Sequence, residues 1–439
     1  MISATVFALA TPAGRSGIAV FRISGPGAGD ALESLTRQAL PAPRLAARRK
    51  FHEPQSTRLI DDGLALWFPG PASFTGEDVV ELHVHGGPAV IAAIAEALRA
   101  LGLQPAEPGA FTRRAFDHGK LDLTEVEGLA DLIAAETEAQ RRQALRQLGG
   151  ALGQRIEAWR EALIGALAHI EASIDFSDED LPAGLVESVD EAMTIVAGEI
   201  ARALDDQHRG ERLREGLSVV ILGAPNAGKS SLLNRLAKRE AAIVSAEAGT
   251  TRDVIELHLD LDGFPVILAD TAGLRETTSA VESEGVRRAL QRAEHADLKI
   301  IVLDATVWPE IPDASRALID DAAILVLNKA DLRSGLAGEM KVIPLSAKTG
   351  EGVDRLVAEL SRRAGALMAS GDQPAMTRAR HRSALADCAR LLDQGIAARA
   401  VELKSEDLRL AVRALGRITG RVDVEDVLGR IFGEFCIGK

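Results

Sequence analysis

The residues with the clearest chemistry form a glycine-rich loop near the middle of the chain. The segment GAPNAGKS, from Gly223 to Ser230, has the spacing GxxxxGK[ST]. Its glycines would let backbone N–H groups wrap phosphates, Lys229 would reach the terminal phosphates, and Ser230 would ligate Mg²⁺. The apolar run SVVIL precedes the loop and the helical run SSLLNRLA follows it. This context favours a nucleoside triphosphate site over a chance glycine-rich turn.

Two downstream motifs distinguish guanine from adenine. NKAD begins at Asn328 after one apolar run, and SAK begins at Ser346 after the next. The Asp331 carboxylate can accept two hydrogen bonds from the guanine edge, and adenine lacks those donors. The order of motifs therefore predicts a GTPase. The nucleotide contacts predicted in these three motifs are Asn226, Ala227, Gly228, Lys229, Ser230, Ser231, Asn328, Lys329, Asp331, Ser346, Ala347 and Lys348.

Two segments between these motifs carry the expected contacts to magnesium and the γ-phosphate. Asp270 would hold Mg²⁺ through water, and Gly273 would present its N–H to the γ-phosphate. Thr251, in AGTTRD, is the predicted second hydroxyl ligand of Mg²⁺ beside Ser230. Leu274 stands where some GTPases carry a water-positioning glutamine, so catalysis must use another side chain or a bound cation. The predicted contacts in the DTAG loop are Asp270, Thr271, Ala272 and Gly273.

Composition limits the class of protein. The chain has 439 residues, 46% hydrophobic and 26% charged, which predicts several globular domains. A net charge of −13 argues against nonspecific coating of nucleic acid but leaves room for a local basic patch. Two cysteines, Cys388 and Cys436, make no disulfide framework and fit a reducing compartment. With no basic start and no long apolar run, we expect neither a secretory leader nor a membrane span, and a cytoplasmic location.

Four segments differ in pattern, and together they predict a multidomain α+β and α/β chain. Residues 1–118 alternate short apolar runs with Gly and Pro, as in an α+β domain. Residues 119–215 and 369–439 follow helical periodicity. Residues 216–368 alternate buried strands with helices, which is typical of a doubly wound α/β domain.

Four stretches carry a family resemblance that spans the whole chain: TPAGRSGIAVFRISG, FTGEDVVELHVHGGP, the loop GAPNAGKSSLLN with AGTTRD, and the terminal CIGK. The chain resembles the bacterial tRNA modification GTPases of the MnmE, or TrmE, family. The resemblance implies an α+β N-terminal domain that binds folate and forms a homodimer. It also implies an all-α helical domain built from both helical segments, with a Ras-like G domain inserted between them.

The resemblance implies a reaction as well. Family members work with the flavoprotein MnmG, which carries FAD. Together they add an aminomethyl or carboxymethylaminomethyl group to carbon 5 of the wobble uridine of tRNA. A tetrahydrofolate derivative, either 5-formyl- or 5,10-methylene-tetrahydrofolate, supplies the one-carbon unit. Potassium stimulates GTP hydrolysis as two G domains pair.

Further site residues come from the resemblance alone. The potassium ligands would be Asn226, Ser245, Glu247 and Thr250. The folate contacts would be Arg22, Glu81, Lys120 and Lys439. Glu282 would orient the attacking water. Without the family, Glu282 fits a solvated carboxylate at a helix start, Arg22 an outward-facing strand charge, and Lys120 ordinary surface.

Three interpretations stay open at this point. Glu81, His83 and His85 alternate along ELHVH and share a strand face, which suits either a metal site or the polar wall of a cleft. Cys436 is either a nucleophile on the terminal tail or a small buried hydrophobe, whereas Cys388 fits a core. The alternative function is a regulatory or ribosome-assembly GTPase of the Era or Der type, although no GXXG stands in a KH-like context.

Overall fold

The structure is a computed structural model that forms two compact units, and each unit is described by itself. The first contains Met1–Ala130, Gln147–Ala168 and Leu408–Lys439, and the second contains Asp131–Arg146 and His169–Asp407. The described residues are 4–12, 14–175, 185–239, 241–243, 256–270, 293–333, 341–369, 375–422, 425–433, 435 and 438.

The strands of the described residues follow in chain order. They are β1 (Val6–Leu9), β2 (Ser16–Ser24), β3 (Ala47–His52), β4 (Leu59–Phe68), β5 (Val79–Gly86), β6 (Gln104–Pro105), β7 (Leu217–Leu222), β8 (Ala242–Ile243), β9 (Glu256–Leu261), β10 (Phe264–Asp270), β11 (Leu298–Asp304), β12 (Ala323–Asn328) and β13 (Val342–Pro344).

The α-helices of the described residues are numbered in the same way. They are α1 (Ala28–Thr36), α2 (Pro88–Ala100), α3 (Ala110–Asp117), α4 (Leu123–Ala134), α5 (Glu138–Leu148), α6 (Ala151–Asp175), α7 (Leu185–Leu204), α8 (Arg209–Glu215), α9 (Lys229–Ala237), α10 (Asp313–Arg316), α11 (Val353–Met368), α12 (Ala379–Ala397), α13 (Val401–Thr419) and α14 (Glu425–Gly433).

A six-stranded sheet in the order β3-β4-β5-β2-β1-β6 organises the start of the first unit. Alternation along β2 sends Phe21 and Ile23 into the core, where α1 and α2 supply further apolar side chains. Arg22 therefore faces the opposite side, and the antiparallel register sets it directly across from Glu81 on β5. Strand periodicity thus places a charged pair on the face opposite α1 and α2.

The first unit also joins segments that are distant in sequence. Leu123 and Val126 of α4 pack with Leu428, Ile431 and Phe432 of α14 in one buried cluster. A close approach explains one glycine here: Gly109 has φ +70°, and a Cβ on it would lie 2.5 Å from the carbonyl oxygen of Phe432. Helix α14 therefore packs beside α3 and α4.

A seven-stranded sheet in the order β13-β12-β11-β7-β10-β9-β8 forms the centre of the second unit. The first five strands in that order are parallel, β9 is antiparallel to β10, and β8 is antiparallel to β9. Apolar clusters cover both faces, one with α9 and α11 and another with Trp308 and Leu318. The predicted doubly wound α/β fold is confirmed, because strands buried on two faces need helices and loops on both.

The helical predictions outside this sheet also hold. Trp159, Leu163 and Ile170 lie buried along α6. Cys388 is buried in α12, and burial raises the pKa of its thiol to about 12, so it serves as a core residue. The boundaries 118, 215 and 368 stay predictions. Among the described residues, no helix has both the length and the apolar character needed to cross a membrane.

Candidate nucleotide site

The phosphate-binding loop lies between β7 and α9, as its sequence context predicts. Gly223 has φ +144° and Gly228 has φ +97°, which favour glycine. Space also requires glycine, because a Cβ on Gly223 would lie 2.3 Å from the Val302 carbonyl oxygen and one on Gly228 2.1 Å from Asn328 Nδ2. The backbone can therefore approach its neighbours closely and present N–H groups at the start of α9.

Lys229 begins α9 and points back into the loop. Its Nζ donates to the carbonyl oxygens of Gly223 at 2.9 Å and Ala224 at 3.0 Å. Ser230 follows as the second residue of the helix, with Ser231 after it. This arrangement holds the ammonium group where anionic oxygens from a nucleotide would gather.

Asn328 joins the three guanine-nucleotide motifs. It ends β12 and is 3% exposed. Its Nδ2 donates to the Ala227 carbonyl in the phosphate loop at 2.7 Å, and its Oδ1 accepts from the Ala347 N–H in the SAK loop at 2.9 Å. The buried amide therefore fixes both loops around one space, and Asp331 follows in the short 3₁₀ helix Ala330–Leu332.

Asp304 is a site residue that the sequence reasoning missed. Its Oδ2 pairs with Lys329 Nζ at 2.6 Å, and its Oδ1 accepts from Thr306 N at 2.9 Å and Thr306 Oγ1 at 2.7 Å. Partial burial opposes ionisation, but these hydrogen bonds and the lysine charge hold the pKa of the Asp304 carboxyl below its usual value. Asp304 ends β11 directly beside Asn328 in the parallel register, which was the available signal.

The SAK loop is closed by its own hydrogen bonds. Thr349 N donates to Ser346 Oγ at 3.1 Å, and Ser346 N donates to the Glu351 carbonyl at 2.8 Å. Arg235 of α9, also missed from the sequence, donates to the carbonyl oxygens of Ala347 and Lys348. The helix that starts at the phosphate loop thus supports the guanine loop from behind.

Several predicted residues lie outside the described part of the chain, and their roles stay predictions. They are Ser245, Glu247, Thr250, Thr251, Thr271, Ala272, Gly273, Glu282, Cys436 and Lys439, together with Leu274. Asp270 ends β10, where its backbone is paired in register with Ile221 of β7, the strand that leads to the phosphate loop. That register brings Asp270, the first residue of the DTAG motif, to the end of the sheet where the phosphate loop begins.

A second polar cluster lies on the outer face of the first unit's sheet. Arg22 donates through Nε at 3.1 Å and Nη2 at 2.9 Å to Glu81 Oε1. Its guanidinium lies 5.7 Å from the Phe74 ring centroid and 5.8 Å from that of Phe111. Arg22 Nη1 also donates to the Gly438 carbonyl at 3.4 Å, which brings the chain's end to this pair.

The other predicted metal and folate contacts near this pair do not all join it. His83 Nε2 lies 3.4 Å from Glu81 Oε2, but His85 pairs with Asp61 at 2.8 Å instead. Across the described residues, no three or more His, Cys, Asp or Glu side chains are grouped to hold a metal. The Lys120 side chain is exposed, and within the described part of the chain it makes no ion pair with Glu81.

Comparisons with known proteins cover the whole chain. The family model "GTP-binding protein TrmE N-terminus" matches residues 5–120, and the model "MnmE helical domain" matches residues 123–436. The chain is 57% identical to the tRNA modification GTPase MnmE of Paramagnetospirillum magneticum, with 100% of both chains covered. It is 59% identical to that of Parvibaculum lavamentivorans, covering 99% of this chain and 100% of the relative.

A eukaryotic relative and a solved structure complete the comparison. The mitochondrial 5-taurinomethyluridine-[tRNA] synthase subunit GTPB3 of Danio rerio is 49% identical, covering 99% of this chain and 93% of the relative. The G domain of the FeoB iron transporter from T. maritima is 25% identical to this chain, and the match covers 34% of this chain and 98% of that one with a TM-score of 0.26. On the two family models and the full-length relatives, the chain belongs to the MnmE (TrmE) family of tRNA modification GTPases.

Proposed function

We propose that this tRNA modification GTPase uses a folate one-carbon unit, with a flavoprotein partner of the MnmG type, to build an aminomethyl or carboxymethylaminomethyl group on carbon 5 of the wobble uridine. The observation that carries the proposal is the cluster of Arg22, Glu81 and the Gly438 carbonyl. It joins a charged pair on the N-terminal sheet to the segment that ends in CIGK. The name of the zebrafish relative describes a uridine modified at the same carbon.

The residues of this cluster suit a folate. A carboxylate such as Glu81 can accept hydrogen bonds from the donor edge of a pterin, and a guanidinium such as Arg22 can bind anionic glutamyl carboxylates. The Phe74 ring beside Arg22 is exposed and offers flat apolar surface for a conjugated ring. A bound folate would supply the one-carbon unit. Lys120 and Lys439 are proposed as further contacts, and Cys436 as the thiol that acts at this site.

The GTP site is proposed to work with two cations. Ser230, Thr251 and, through water, Asp270 are the proposed magnesium positions. Asn226 is exposed in the phosphate loop with φ +62°, so its amide oxygen is accessible to a potassium ion that Ser245, Glu247 and Thr250 would complete. Potassium would supply positive charge next to the phosphates, and Glu282 would orient the attacking water in place of the glutamine that Leu274 replaces.

Replacing potassium by sodium tests the cation assignment. We expect GTP hydrolysis to fall by on the order of 10²-fold or more, because a missing positive charge at the phosphates costs about as much as a missing electrostatic donor. The measurement is initial phosphate release at fixed ionic strength in KCl and in NaCl. Asn226→Ala is the matched variant, and it should be slow in both salts. If the unchanged protein hydrolyses GTP at equal rates in both salts, the proposed potassium site is wrong.

The assembly is proposed from the family as well. The N-terminal domain would form a homodimer, the partner would bring FAD, and the substrate would be tRNA in the cytoplasm. The regulatory alternative of the Era or Der type loses its basis, because the relatives named for tRNA modification match over essentially the whole chain.

A further inference from the structure

Helix α13 carries a row of arginines that the GTP site and the folate cluster do not use. Arg409, Arg413 and Arg417 recur at every fourth residue in the half of the helix that belongs to the first unit. At about 1.5 Å rise and 100° per residue, neighbours in this row are about 6 Å apart along the axis and rotate by only about 40°. The three guanidinium groups therefore start from one face of the helix.

Exposure shows that this face is turned to solvent. Arg409 and Arg413 are exposed and Arg417 is half-buried, whereas Leu408, Ala411 and Leu415 on the other side of the helix are buried. The favourable effect of cations near a helix C-terminus reaches only the last turn, so it explains Arg417 but not the other two. Glu406 lies one turn before Arg409 on the same face, which places the positive charge in the second half of the helix.

Helix α6 adds to the positive charge at the end of the row. A Cβ built on Gly416 of α13 would lie 4.0 Å from Arg160 Nε, so the two helices meet there. Glu157 of α6 pairs with both Arg160 at 2.8 Å and Arg421 at 3.0 Å. Glu157 thus holds the guanidinium groups of Arg160 and Arg421 near each other at the Arg417 end of the helix.

The local charge contrasts with the charge of the whole protein. Residues 408–422 contain four arginines and no aspartate or glutamate, in a chain with a net charge of −13. A row of exposed arginines on an acidic protein gives a local positive potential that can attract a polyanion. Arginine suits phosphate in particular, since its planar fork can donate two hydrogen bonds to one phosphate group.

We propose that the α13 row, defined as Arg409, Arg413, Arg417 and Arg421 with Arg160, binds the phosphate backbone of the tRNA substrate. The proposal rests on the tRNA-modifying function of the family. A nucleic-acid strand presents a regular row of single negative charges, which a regular row of guanidinium groups can neutralise. Such contacts position an RNA without reading its sequence.

The test measures binding of unmodified tRNA to the full-length protein over a series of salt concentrations. The double variant Arg409→Gln/Arg413→Gln should raise the Kd about tenfold at moderate salt and lower the slope of log K against log salt by about one to two, since each lost phosphate contact removes roughly one unit. GTP hydrolysis without tRNA should stay unchanged. Arg409→Lys/Arg413→Lys keeps the charge and should retain most of the binding.

A matched control separates local contacts from total charge. Arg362→Gln/Arg390→Gln removes two exposed helix arginines elsewhere and changes the net charge equally. Equal losses in both double variants, or unchanged binding in the first, would overturn the proposal. If Arg409→Gln/Arg413→Gln binds tRNA normally but no longer binds a protein partner, the α13 row is a binding site for that partner instead. If the unchanged protein does not bind tRNA at any salt concentration, the α13 row is not a tRNA-binding site. The folate proposal does not depend on that result.

Discussion

Asp331→Asn is expected to weaken GTP binding by on the order of 10²- to 10⁴-fold, because two hydrogen bonds to a charged acceptor are lost or reversed. Asn328 bridges Ala227 and Ala347 three residues before Asp331, so the segment that leads to Asp331 is fixed beside the phosphate loop and the SAK loop. The N1 and N2 groups of guanine are both donors, and a carboxylate accepts from both. An asparagine amide offers one acceptor and one donor, which matches xanthine instead.

Asp331→Asn should therefore change the preferred nucleotide from GTP to xanthosine triphosphate as well as weaken GTP binding. Binding of GTP and of xanthosine triphosphate would be compared by titration, with hydrolysis of each measured at saturation. We expect the variant to hydrolyse xanthosine triphosphate at close to the original GTP rate, since Lys229 and the phosphate loop are untouched. Asp313→Asn on α10 is the control for charge. Unchanged GTP affinity in Asp331→Asn would exclude this residue from base recognition.

Lys229→Ala is expected to lower the rate of GTP hydrolysis by on the order of 10²- to 10³-fold, the size of effect seen when one preorganised electrostatic donor is removed. Lys229 Nζ lies inside the loop between the Gly223 and Ala224 carbonyl groups. No other cation of the described loop residues 223–230 could replace it. The fold should persist, because the lysine is half-buried and packs in no apolar cluster of the described residues.

The control for this variant comes from the same helix. Lys238→Ala at the end of α9 removes the same charge at an exposed position. It should hydrolyse GTP normally, and single-turnover rates of the two variants give the comparison directly. A Lys229→Ala protein with the normal single-turnover rate would show that the loop lysine does not act on the phosphates.

The features that the sequence predicted correctly, the phosphate loop and the parallel strands, each depend on residues that are close together in the chain. The phosphate loop is one segment with a strand before it and a helix after it, so its motif and its context lie together in the chain. The five parallel strands are short apolar runs, and their burial on two faces follows from composition alone. For Arg22 the residues alone suggested only an outward-facing strand charge, and the structure shows it largely buried and paired with Glu81.

Contacts between distant segments explain what the sequence could not predict. Asn328 reaches Ala227 across 101 positions, and Arg22 reaches Gly438 across 416. No periodicity records such pairs. Asp304 was missed because an aspartate at the end of a strand is common, and its role depends on the αL turn at Lys329 that returns the lysine to it. The link between Arg22 and the terminal segment was expected only through the family resemblance.

In the proposed function, GTP hydrolysis at Lys229 drives modification of the wobble uridine, and Cys436 acts in the chemistry. The most direct measurement is mass analysis of tRNA nucleosides from cells that lack the chromosomal copy and carry the unchanged chain, Lys229→Ala or Cys436→Ser. We predict that the carbon-5-modified wobble uridine disappears without the chain, returns with the unchanged chain, and stays absent with either variant, although Cys436→Ser still hydrolyses GTP. Modified uridine at the normal level in cells without the chain would contradict the account.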